Sequence, residues 1–71
     1  MIKYKIDIMA ALKSTGLTSY KLRKEKIFGE ATMTVFRNQE PFNFDNLNKL
    51  CKLLDCQPGD IIEYVPDPPT D

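Results

Sequence analysis

The run Gly16-Leu17-Thr18-Ser19-Tyr20-Lys21-Leu22, continued by Arg23 to Gly29 and then by Glu30-Ala31-Thr32-Met33-Thr34-Val35-Phe36-Arg37-Asn38, decides the fold. Thr18 is suited to cap a helix, because its hydroxyl can accept from a free N–H of the first turn. Leu17 before it can staple onto Leu22. That helix is predicted over Ser19 to about Lys26, with Lys21, Lys24 and Glu25 on its exposed face. Gly29 is a permissive cap for the next helix, predicted over Glu30 to Arg37. At about 100° per residue, Met33 and Phe36 project to one side of it, while Glu30, Ala31, Thr34 and Val35 gather roughly opposite. Two short helices joined by a tight turn result, the second with an apolar face and a face left to small and polar groups.

Working outward, Ile2-Lys3-Tyr4-Lys5-Ile6 alternates apolar and basic residues, the pattern of a half-buried strand. A lone strand is unstable, and its best partner is Ile61-Ile62-Glu63-Tyr64-Val65, rich in β-branched and aromatic residues. Asp7 can cap a helix over Ile8 to Lys13 or Ser14, with Ile8, Met9 and Leu12 on one side, and Gly16 ends it. Asn43 caps a fourth helix, with Phe42 placed to staple onto Leu47 and Asp45 near the positive helix end. Leu47, Leu50, Cys51 and Leu54 form its apolar stripe. Pro58 suits the first position of a short fifth helix or turn, and Pro66, Pro68 and Pro69 stop regular structure. Residues 1–66 are thus expected as one domain and 67–71 as a flexible tail.

With 71 residues the chain has room for one small core and not for a large cleft. Hydrophobic residues at 42% and charged residues at 28% describe an ordinary globular domain. The formal net charge is zero, yet the charges are segregated. Lys13, Lys21, Arg23, Lys24, Lys26 and Arg37 outweigh Glu25, Glu30 and Glu40 within residues 13–40, whereas acids dominate residues 41–71. Cys51 and Cys56 stand five apart in a chain without histidine, so they cannot close a zinc quartet, and Cys51 is expected as a small core residue. The apolar run Ile6 to Leu12 is short and broken by Asp7, which fits neither a secretory signal nor a membrane span, and a reducing cytoplasm is expected. Catalysis is disfavoured: Gly16, Gly29 and Gly59 are isolated, no base accompanies a nucleophile, and Asp60 with Glu63 reads as surface charge.

The two runs quoted first, together with the closing Leu47-Asn48-Lys49-Leu50-Cys51-Lys52-Leu53-Leu54-Asp55-Cys56-Gln57-Pro58-Gly59-Asp60-Ile61-Ile62-Glu63-Tyr64-Val65, resemble the small Cro/repressor-type helix-turn-helix regulators, the XRE family, over about residues 4–66. The resemblance implies an all-α, compact five-helix, lambda-repressor-like domain, to which a short terminal strand pair is added. It further implies binding to double-stranded operator DNA, as a homodimer on two half-sites; no cofactor, metal or membrane is expected. Carried across residue by residue, Glu30 and Ala31 fall where the family reads bases, and Thr34 and Val35 on the next turn of the same helix. Ser19 and Asn38 match phosphate-touching positions, with Tyr20, Lys21, Thr32 and Arg37 as phosphate neighbours.

The chain departs from the family pattern at three positions. Ile27 stands where many members carry a turn glycine with positive φ, so either the second helix extends or the turn has another geometry. Arg23 replaces a small alanine under the reading helix, so its head swings outward or the helices cross differently. Glu30 is acidic where an amide is common; a carboxylate accepts from cytosine N4 and repels phosphate. Two function classes follow: a DNA-binding transcriptional regulator, acting as a repressor in a bacterium, phage or mobile element, or a helix-turn-helix-like protein-interaction module such as an antitoxin or a regulator's partner.

Overall fold

In the computed structural model, which describes residues 1–67, four of the five helices begin at a side chain that satisfies an otherwise free N–H. The Asp7 carboxylate accepts from Ala10 N–H at 3.1 Å to open α1 (Ile8–Ser14). Thr18 Oγ1 accepts from Lys21 N–H at 3.3 Å for α2 (Ser19–Lys24), and Asn43 Oδ1 from Asn46 N–H at 2.9 Å for α4 (Phe44–Leu54). At α5 (Pro58–Ile61) the proline takes the first position and Gln57 N–H donates to the Asp60 carboxylate at 3.0 Å. The exception is α3 (Glu30–Arg37), whose cap residue Gly29 has no side chain to offer.

The two ends of the chain pair as an antiparallel ribbon, β1 (Ile2–Tyr4) against β2 (Ile62–Tyr64), with Ile2 opposite Tyr64, Lys3 opposite Glu63 and Tyr4 opposite Ile62. Lys5 N–H to Ile61 O and Val65 N–H to Met1 O, both 2.8 Å, extend the ladder at either end. The expected five-helix domain with a terminal strand pair is therefore what the chain forms. Asp67, the first residue of the expected tail, accepts from the Met1 backbone nitrogen at 3.3 Å, while 68–71 lie outside the described residues.

Every helix feeds one core: Ile8 and Leu12 from α1, Leu22 from α2, Met33 and Phe36 from α3, Leu47 and Leu50 from α4, and Ile61 from α5, with Phe28 from the turn before α3. Aromatic rings run through it edge to face. Phe28 meets Phe36 at 5.1 Å, Phe36 meets Phe42 at 5.2 Å, and Phe42 meets Tyr4 at 5.7 Å between centroids. Tyr4 OH donates to the Glu40 carbonyl at 2.6 Å, with the Val35 carbonyl at 3.3 Å. Burial, and then the Glu40 carboxylate, push this phenol above its ordinary pKa, so it keeps the proton that ties β1 to the end of α3. Cys51 differs from expectation: it is half-buried, packed at the edge of the core beside the fully buried Leu50.

The ends of α1, α2 and α3 share one closure. In each, an N–H beyond the helix end returns to the carbonyl five residues earlier, in the last turn, over one residue with positive φ. At α1 that residue is Gly16 (φ 90), with Leu17 N–H to Leu12 O at 2.9 Å. At α3 it is Gln39 (φ 56), with Glu40 N–H to Val35 O at 2.9 Å. At α2 it is Lys26 (φ 55), with Ile27 N–H to Leu22 O at 3.0 Å.

This corrects the expected second helix in two ways. It stops at Lys24, short of Lys26, and the left-handed residue is Lys26, one position before Ile27. The reason is packing: the closure turns Ile27 inward, half-buried against the core, so the strained conformation falls on a side chain that can stay in water. Lys49 of α4 secures the same turn, with Nζ 3.3 Å from Ile27 O and 5.6 Å from the centre of the Phe28 ring.

A left-handed non-glycine residue costs about 1–2 kcal/mol, while glycine loosens the unfolded chain by about 0.4–1 kcal/mol. Lys26→Gly is therefore expected to raise unfolding stability by up to about 1 kcal/mol in urea titrations. Ile27→Gly, which deletes half-buried apolar volume, is expected to lower it by about 1–3 kcal/mol.

Candidate nucleic-acid interface

With Met33 and Phe36 buried, the rotation of α3 about its axis is fixed, and Glu30, Ala31, Thr34 and Arg37 are exposed. Thr32 and Val35 are half-buried. Val35 thus departs from the expectation that it projects freely with Thr34. The chain leaving α3 folds back along that side, where Glu40 N–H bonds the Val35 carbonyl and the Val35 side chain packs against the core. Ala31, Thr32 and Val35 line one wall of a shallow groove of about 280 Å³, with Phe42, Asn43 and Asn46 across from them.

The first turn of α3 carries an ion pair. Arg23 Nη1 of α2 reaches Glu30 Oε1 at 2.8 Å, with both side chains more than half exposed. Of the two alternatives open for Arg23, the structure has the outward swing, and the guanidinium lies over the first residue of α3 instead of beneath it. At that exposure the pair is worth no more than about 1 kcal/mol. Its consequence is electrostatic: it offsets a carboxylate at the head of α3, where the helix's own positive end already favours negative charge.

Of the six residues assigned to phosphate, three come together. Ser19, Tyr20 and Arg37 line a cleft of about 440 Å³ with Met9, Lys13 and Thr18, where α1, the start of α2 and the end of α3 meet. Arg37 Nη2 donates to Ser19 Oγ at 3.3 Å across it. The other three are apart. Lys21 is exposed on α2, Thr32 faces the groove toward α4, and Asn38 donates to the Glu40 carboxylate at 3.3 Å just past α3. Tyr20 is 67% exposed, with Lys24 Nζ 5.8 Å from its ring centre.

Lys13 was not singled out by sequence reasoning. It belongs to the basic segment, but only the packing of α1 beside α3 brings it next to Arg37. Asn43, read as a helix cap, and Asn46, which the sequence did not single out, border α3 through the packing of α4. Chemically, the assembled face offers guanidinium and ammonium groups with a hydroxyl between them, and beside these a helix surface small enough at Ala31 and Thr34 for close approach to another molecule. Among the described residues no cluster of three or more His, Cys, Asp or Glu side chains is placed to hold a metal ion, and no helix is long and apolar enough to cross a membrane.

A model of the Cro/C1-type helix-turn-helix DNA-binding domain family matches residues 5–67. The chain is also similar to YozG of Bacillus subtilis (strain 168), described as an uncharacterized HTH-type transcriptional regulator. The two are 33% identical over 67 residues, which is 92% of this chain and 77% of that protein. No solved structure matches the chain.

Thr34 and Val35 are neighbours with different surroundings, and unfolding should separate them. Thr34→Ala is expected to leave stability within about 0.5 kcal/mol, as an exposed substitution. Val35→Ala removes half-buried methyl groups and is expected to cost about 0.5–1.5 kcal/mol, read from denaturant midpoints.

Proposed function

Because the chain belongs to the Cro/C1-type helix-turn-helix family of DNA-binding domains, we propose that it is a sequence-specific regulator of transcription. In this reading it is a cytoplasmic repressor that occupies operator DNA as a homodimer on two half-sites and acts by binding alone, without catalysis or cofactor. The observation that carries the reading is the outward face of α3, Glu30, Ala31 and Thr34, presented by a helix whose opposite face is locked into the core and flanked by cations of α1 and α2.

Recognition then proceeds in two parts. Lys13, Lys21 and Arg37, with the Ser19 hydroxyl and the Tyr20 phenol, neutralise and grip backbone phosphates, which supplies affinity and sets the register of α3 in the major groove. Asn38 and Thr32 hold further phosphates at the two sides of the helix. Base edges are read by Thr34 through its hydroxyl, by Ala31 against a thymine methyl, by Val35 where its methyls reach the groove wall, and by Glu30 accepting from cytosine N4. Arg23 makes the last of these workable, since it holds Oε1 of Glu30 and offsets the charge, leaving Oε2 for a base. An operator covered in this way excludes polymerase.

One observation favours a second reading, a helix-turn-helix-like protein-interaction module such as an antitoxin. Ile2, Phe44 and Tyr64 are 62%, 84% and 66% exposed on a chain of zero net charge.

Selection of bound sequences from random duplexes, followed by titration at several salt concentrations, tests the proposal. Wild-type protein is expected to enrich a discrete sequence and to lose affinity steeply with salt. Lys21→Ala should weaken all duplexes alike and flatten the logarithmic salt slope by about one unit. Glu30→Gln should raise general affinity and shift preference at one base pair by about 1–3 kcal/mol. Wild-type protein without salt-dependent duplex binding overturns the reading in favour of the interaction module.

A further inference from the structure

The helix-end closure described above brings together two side chains: that of the residue whose carbonyl accepts and that of the residue five positions later whose N–H donates. At α1 these are Leu12 and Leu17, and at α2 they are Leu22 and Ile27, two aliphatic pairs packed into or onto the core. The same closure ends α4. Asp55 is left-handed (φ 50, ψ 56), and Cys56 N–H returns to Cys51 O at 3.0 Å. The two contact positions are there filled by Cys51 and Cys56, the only cysteines in the sequence. Both are half-buried, so a small molecule reaches them, and neither is enclosed.

We propose that Cys51 and Cys56 form a dithiol site whose substrate is a low-molecular-weight disulfide, and that exchange converts the pair to an intrachain disulfide locking the end of α4 to the start of α5. The backbone supplies the geometry: with the Cys56 N–H on the Cys51 carbonyl at 3.0 Å, the closure brings these two side chains to the same side of the turn, the approach a disulfide requires.

The chemistry balances. One cysteine, as thiolate, attacks the small disulfide, forming a mixed disulfide and releasing one small thiolate. The second cysteine gives up its proton to solvent and attacks the protein sulfur of that mixed disulfide, expelling the second small thiolate. The pair loses two electrons and two protons, and the oxidant gains them as two thiols. Burial first, then the Cys51 thiol, and after them the carboxylates of Asp60 and Asp55, raise the Cys56 thiol above its ordinary range. Attack through Cys56 is accordingly slow at neutral pH. The second step still outruns a second molecule of free oxidant, because the resolving thiol is held beside the mixed disulfide.

The site stands at the far end of α4 from Asn46, the residue that borders α3, so the inference does not depend on what α3 reads. The test is intact-mass and peptide-mass analysis of the folded, fully reduced chain after incubation with excess oxidised glutathione and an acid quench. The expected product is lighter than the reduced chain by two hydrogens, with Cys51 linked to Cys56 in the peptide map. Cys51→Ser and Cys56→Ser, with helical circular dichroism unchanged, should each stop at one stable glutathione adduct. Wild-type protein that accumulates one or two glutathione adducts, forms disulfide-linked chain pairs, or stays reduced overturns the proposal.

Discussion

The burial of Phe36 is the constraint on which the rest of the structure depends. This ring is 1% exposed and stands edge to face between Phe28 and Phe42, with Tyr4 continuing the series beyond Phe42. Each such pair contributes about 0.5–1.5 kcal/mol beyond the burial of its area, but the geometric effect matters more. Phe28 lies in the turn before α3, Phe42 in the segment after it, and Tyr4 in the first strand. One side chain of α3 therefore fixes both of its connections and the ribbon that joins the chain's ends. With Met33 buried one turn earlier, α3 has a single rotation about its axis, and that rotation selects the residues it presents outward.

The turns are built to serve that packing at some local expense. Lys26, Gln39 and Asp55 all take left-handed backbone that glycine would adopt freely, yet each sits at the closure of a helix whose following residue packs against the core or returns toward it. The turn between α2 and α3 shows the trade most plainly. Its conformational cost falls on an exposed lysine, Ile27 and Phe28 go inward, and Lys49 reaches over from α4 to bond the freed carbonyl. A helix-turn-helix turn is thus assembled from side-chain burial rather than from a glycine at its corner.

Much of this was legible in the sequence because it is local. Asp7, Thr18 and Asn43 cap the helices they were expected to cap, Pro58 opens the fifth, and the alternation of Ile2 to Ile6 found its partner in the run from Ile61. The features that escaped depend on what packs against a residue from elsewhere in the chain. The left-handed residue fell at Lys26 and not Ile27 because the core, not the turn, decides which of the two is buried. Val35 shares the outward side of an isolated helix with Thr34, but the chain returning past Glu40 covers it. Lys13 joins Ser19 and Arg37 only when α1 lies beside α3. The outward swing of Arg23 onto Glu30 belongs to the same class, since a wheel drawn for either helix alone places no partner there.

The proposed function requires that the face of α3 opposite Phe36 meet duplex DNA, with the start of α2 and Lys13 beside it. Mapping backbone amide chemical shifts while the full chain is titrated with a duplex it selects tests this most directly. The largest changes are expected at residues 29–35 and around Ser19 to Lys21, with the ribbon and the end of α4 nearly silent. Shifts concentrated on Ile2, Phe44 and Tyr64 while α3 stays unperturbed would contradict it.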